Sequence, residues 1–179
     1  MKTFFLSFLL LLFAMPCAAQ STCGLGLKDA PEFFGLRLGM SPLQVRSVFG
    51  KALKVKIKKE GTFFQNFIEK PPPQFLSGVR ALYLRFFDRR LYQIEIFYED
   101  KGSRQTLAGF TGVLTANLKL PEVLWEETAA GRRQLKCAEF TLVADNVLNP
   151  RVELTDEITR AQVEELRLQE SEKKKGSKK

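Results

Sequence analysis

Two alternating runs in the middle of the chain constrain its fold more than any other feature. Leu82, Leu84 and Phe86 occupy every second position of one run, and Tyr92, Ile94 and Ile96 every second position of the next. Side chains on a strand alternate between faces, so each run reads as a strand with one apolar side, and the short link between them makes an antiparallel hairpin. A two-residue turn at Asp88-Arg89 would pair Leu84 with Gln93 and Leu82 with Glu95, mixing the faces. A three-residue loop, Asp88-Arg89-Arg90, pairs Phe86 with Tyr92, Leu84 with Ile94 and Leu82 with Ile96. That register puts all six on one face and is preferred. It requires a left-handed third residue, which Arg90 adopts at some cost; a bulge is the escape route.

The remaining elements follow from local signals. Ser41 is an N-cap, Pro42 suits the first helical position, Gln44 completes a capping box, and Met40 with Val45 forms a hydrophobic staple. With Gly50 at its end, the helix runs from Pro42 to Phe49. Leu53, Val55 and Ile57 alternate with Lys54, Lys56 and Lys58 in a strand, and Thr62–Ile68 returns after a turn at Glu60-Gly61. Pro71-Pro72-Pro73 marks a stiff loop. Ser103 caps a second helix, Arg104 to Leu118, with Leu107, Phe110, Leu114 and Leu118 at helical spacing; Gly109 and Gly112 weaken it or let it pack closely on the sheet. Arg133–Val143 and Arg151–Thr155 read as two later strands. A charged helix with a thin apolar side follows from Asp156 to Gln169, and Lys173–Lys179 reads as a disordered end. The expected architecture is α+β: a mostly antiparallel sheet with two main helices packed on it, in a domain spanning residues 30–155. An arm at 20–29 precedes it, and a charged helix and Lys-rich tail at 156–179 follow.

The first nineteen residues read as a signal peptide. Lys2 is followed by an apolar stretch through Phe13, and Cys17-Ala18-Ala19 places small side chains at the cleavage positions ahead of Gln20. The apolar stretch, about ten residues, is short of the roughly twenty that a spanning helix needs. Pro16 makes Cys17 a poor lipid-attachment site. The expected protein is exported, periplasmic or secreted, with no transmembrane span in the mature chain.

Charge and residue types limit the chemistry. The formal net charge is +8 over the whole chain, and 27 basic against 20 acidic residues remain once Lys2 is removed. Such an excess suits an anionic lipid, lipopolysaccharide, a cell-wall polymer or an acidic protein face, although plain solubility is the preferred reading of a charge this size. The chain has no histidine, which removes the usual general base near neutral pH and the commonest transition-metal ligand. No catalytic constellation, cofactor site or metal-ligand cluster is recognisable. Cys23 and Cys137 remain after cleavage. They form a candidate disulfide closing a loop of about 110 residues, although a buried free thiol at Cys137 is equally natural.

Three groups are candidate contact sites. Lys54, Lys56 and Lys58 share a strand face about 7 Å apart and could attract phosphates or carboxylates, or serve to protect an edge strand. Trp125 is core, a lid over the sheet edge or an interface anchor. Arg85, Arg89, Arg90, Arg132 and Arg133 lie near aromatics, but no nucleic-acid-binding signature accompanies them.

The segment from Gly35 to Gly50 resembles the opening of small bacterial envelope modules, the SmpA/OmlA-like assembly lipoproteins and the β-lactamase-inhibitor-like proteins. Gly39, Met40, Ser41, Val45 and Gly50 carry the match. The resemblance implies helices packed on an antiparallel sheet, acting through protein contacts rather than catalysis. The functional expectation is an exported, non-catalytic protein-interaction module of the cell envelope. The alternative is a binder of anionic lipid, lipopolysaccharide or cell-wall polymer through the Lys54/Lys56/Lys58 face.

Overall fold

The computed structural model describes residues 23–51, 61–68, 72–99, 106–120, 125–128, 130–146 and 149–176. Its strands are β1 (Gly61–Asn66), β2 (Val79–Phe87), β3 (Arg90–Tyr98), β4 (Trp125–Glu127), β5 (Arg133–Lys136), β6 (Phe140–Asp145) and β7 (Arg151–Asp156). Its helices are α1 (Pro42–Phe49), α2 (Leu107–Leu118) and α3 (Glu157–Gly176). The strands form one antiparallel sheet in the order β1-β2-β3-β7-β6-β5-β4, an α+β fold. The strand pattern Lys54/Lys56/Lys58 lies outside the described residues.

Cross-strand partners build the core in rows. Phe63, Leu84, Ile94, Leu154, Leu142, Leu135 and Trp125 stand side by side, one from each strand. Leu84, Leu154, Leu142 and Leu135 are completely buried. Two helices cover this face. Val45 and Phe49 of α1 are buried on it, with the Phe49 ring 6.5 Å from Phe63. From α2, Phe110 meets Tyr98 edge-on at 5.7 Å.

Helix α1 has the expected bounds and entry. The Gln44 amide donates to Ser41 Oγ at 3.3 Å, and the Ser41 amide donates to Gln44 Oε1 at 2.8 Å. Gly35, at φ +81°, turns the preceding chain close to the helix; a Cβ there would lie 3.2 Å from Val48 Cγ1. Helix α2 starts later than expected. Thr106, not Ser103, is its N-cap, accepting from the Gly109 amide at 3.1 Å. Ser103 and Arg104 lie outside the described residues. A Cβ on Gly112 would meet nothing within 4 Å, so this glycine is not there for close packing.

The hairpin resolves its register differently from the three-residue loop. Phe87 pairs with Arg90 across a two-residue turn in which both Asp88 (φ 43°) and Arg89 (φ 60°) are left-handed. Phe86 then pairs with Leu91, and Tyr92 is an extra residue before Arg85 pairs with Gln93. The bulge restores Leu84 opposite Ile94 and Leu82 opposite Ile96. Leu91 takes the core place expected for Tyr92.

The expected strand Arg133–Val143 is two strands, β5 and β6, because Cys137–Glu139 make a tight reversal with the Cys137 amide bonded to the Phe140 carbonyl. Cys137 therefore sits at this turn, where it is joined by a disulfide to Cys23 of the N-terminal arm. Glu139 fastens the same corner twice: its side chain accepts from the Leu27 amide at 2.5 Å, and its carbonyl accepts from Glu157 at the start of α3. Helix α3 continues to Gly176, so Lys173–Lys175 are helical rather than part of a disordered end.

Two outcomes follow for stability. Replacing Cys23 and Cys137 together by alanine removes a cross-link over 114 residues, worth about 4–5 kcal/mol in the chain-entropy view. The urea midpoint should fall accordingly, and an unchanged midpoint would contradict the bond. Burial also holds the Tyr98 phenol well above the usual tyrosine range. The unfolded chain ionises this group first, from about pH 10, so stability is intact below that pH and declines as pH rises past it. Tyr98→Phe should flatten that part of the stability curve, measured by denaturation from pH 8 to 11.

Candidate functional site

Among the described residues, the opposite face of the sheet contributes none of the main hydrophobic cluster. Its central row, read from the strand pairing, is Phe64, Tyr83, Glu95, Glu153, Val143, Gln134 and Glu126. The row is aromatic at one side and polar across the middle. The directly opposed Glu95 and Glu153 are a like-charge pair that destabilises a sheet unless neighbours neutralise it.

Arg151 supplies that neutralisation from the adjacent row. It donates to Glu95 Oε1 at 2.7 Å and twice to Asp145 Oδ2, at 2.9 and 2.5 Å. Arg132 approaches the same Asp145 oxygen at 3.5 Å. Glu153 is held separately, accepting from Gln93 Nε2 at 2.5 Å and from Thr155 Oγ1 at 3.3 Å. Glu95 and Asp145 are buried, as are Gln93 and Thr155. Burial works against the Arg151 charge, but the hydrogen bonds and charges of Asp145 and then Glu95 outweigh it and raise its pKa. These groups are consumed in holding each other.

Beside the network lies an aromatic ladder. The Phe64 and Tyr83 rings are 4.3 Å apart, Tyr83 meets Phe97 edge-on at 5.6 Å, and the Arg151 guanidinium sits 5.8 Å from the Phe97 ring centre. A cavity of about 230 Å³ opens here, lined by the three rings with Ile68, Arg80 and Asn149. Arg80 is an extra residue in β2, between the pairs Val79–Tyr98 and Ala81–Phe97, and donates to Asn149 Oδ1 at 2.7 Å. Phe64 is 48% exposed and Ile68 63%. Exposed aromatic surface next to a polar rim is the composition of contact surfaces.

The residues singled out by sequence fall elsewhere. Lys54, Lys56 and Lys58 lie outside the described residues. Trp125 opens β4 on the core face, partly buried, and its indole N–H donates to Thr115 Oγ1 at 2.8 Å, tying the sheet margin to α2. Arg133 reaches the same helix, donating to Thr111 Oγ1 at 3.1 Å. Nothing in the alternation marked the open face as a site, although the opposed Glu95 and Glu153 become visible once Ile94 and Leu154 are aligned. Among the described residues no group of three or more histidine, cysteine or acidic side chains is placed to hold a metal, and no helix is long and apolar enough to cross a membrane.

No protein-family model, curated protein or solved structure matches the chain.

Arg151→Met leaves Glu95 buried without its cation and Asp145 with only the half-exposed Arg132, and should cost about 3–5 kcal/mol in chemical denaturation. Adding Glu95→Gln and Asp145→Asn should recover much of that loss. A single substitution without effect would show that the network carries no stability.

Proposed function

We propose that this chain is an exported, non-catalytic protein-interaction module of the cell envelope, working through the open face of its sheet. The carrying observation is the Phe64–Tyr83–Phe97 ladder, which stays partly exposed on the face that α1 and α2 do not cover. An apolar surface of this kind gains free energy when a partner removes it from water. Glu95, Asp145 and Glu153 on the same face are already bonded to Arg151, Gln93 and Thr155, which favours contact over acid–base chemistry there.

Two features support export. The leader ending at Ala19 has the pattern of a cleaved signal. The Cys23–Cys137 disulfide suits an oxidising compartment, where such bonds persist.

The test is site-specific photocrosslinking in intact cells. A photoreactive residue at Phe64 or Ile68 should give one discrete protein adduct. The same residue at Leu43 or Val113, both exposed on the helical side, should not. Adducts of equal yield at all four positions, or none at Phe64 and Ile68, would overturn the reading.

A further inference from the structure

A second cleft, separate from the aromatic ladder, lies where α3 passes over the hairpin end of the open face. Its volume is about 340 Å³, within the roughly 300–1,000 Å³ of small-molecule sites. Tyr92, Phe87, Val163 and Leu166 give it apolar walls, and Arg85 from β2 and Arg167 from α3 supply two guanidinium groups. The bulge creates part of this wall, because it turns Tyr92 out of the core row and onto this face.

The two arginines differ from the others of the open face. Arg151, Arg132 and Arg80 are each bound to a carboxylate or amide oxygen. Arg85 and Arg167 make no hydrogen bond or ion pair among the described residues, yet both face one cleft. Among the described residues that line it, Glu170 is the one acidic group. Among the described lining residues, two cations against one anion, set beside apolar walls, complement a molecule with a negative head and a greasy body.

We infer that this cleft binds a free amphiphilic anion: a single short acyl chain ending in a carboxylate or phosphate. The head would accept hydrogen bonds from Arg85 and Arg167 while the chain lies along Phe87, Val163 and Leu166. A recessed cleft between a helix and a sheet suits a monomer rather than the surface of a bilayer.

Titration calorimetry of the purified chain with decanoate and with decyl phosphate, below their micellar concentrations, tests the inference. Both should bind, and decyltrimethylammonium should not. Arg85→Gln or Arg167→Gln should each weaken binding by about tenfold, the loss expected for one charge-assisted hydrogen bond. Glu170→Gln should tighten it about two- to threefold by removing the opposing charge. Melting curves of these variants should match the parent, since none of the three side chains bonds within the described fold. Failure of the parent to bind either anion would overturn the inference. So would equal binding by the arginine variants, by the cationic amphiphile, or by phosphatidylglycerol vesicles in place of decanoate. The aromatic-ladder reading stands or falls independently, because its crosslinking positions do not line this cleft.

Discussion

Every other feature rests on one row of side chains crossing the sheet from Phe63 to Trp125. A sheet side-chain period of two makes this row an all-or-nothing constraint, since a slip of one residue in any strand would expose its members. Burying a leucine or isoleucine is worth roughly 1.5–3 kcal/mol, so a slipped strand forfeits several such contributions at once. The hairpin reveals the strength of that demand. A two-residue turn would otherwise throw the strands out of phase, and the chain inserts Tyr92 as a bulge to keep Leu84 against Ile94.

A sheet with its helices α1 and α2 on one side leaves the other side to be stabilised laterally. That explains why the open face is charged in pairs rather than scattered. Glu95 and Glu153 are forced into opposition by the apolar partners Ile94 and Leu154 behind them. Arg151 and Gln93, each at a neighbouring position, absorb one glutamate apiece. The network is therefore a consequence of core register. Among the described residues, what remains uncommitted on that face, beside Gln134 and Glu126 at the far margin, is aromatic at one end of the strands and cationic under α3.

Legibility followed the range of the interactions. Helix α1 could be read from Ser41, Pro42 and Gln44 because its cap is closed by residues three apart. The strands of the hairpin were legible from alternation, but not the turn, because a two-residue turn followed by a bulge reaches the same Leu84–Ile94 and Leu82–Ile96 pairs as a three-residue loop. The break between β5 and β6 was hidden in an apolar run whose reversal involves Cys137 and a partner 114 residues away. Ser103 and Thr106 both precede the same apolar spacing, so the sequence alone does not single out Thr106 as the cap. The candidate site was the least legible part. Phe64, Tyr83 and Phe97 lie on three strands, and no local pattern says that their rings meet.

The corner at Cys137 determines where α3 can go. Glu139 accepts the Glu157 amide there, and Asp156 caps the first turn by accepting from the Thr159 amide and hydroxyl. With its start held at two points, a 20-residue helix can reach about 30 Å. Beyond the first turn its buried apolar residue is Val163, opposite the hairpin end of the sheet. A helix steered from its base and resting on one valine must leave a gap wherever its next side chains are long or charged. Arg167 and Glu170 are such residues, and together with Leu166 they line the cleft. The disulfide corner and the start of α3 thus share Glu139, which accepts from the arm at Leu27 and from the helix at Glu157, two residues along the chain from the sulfur bridge.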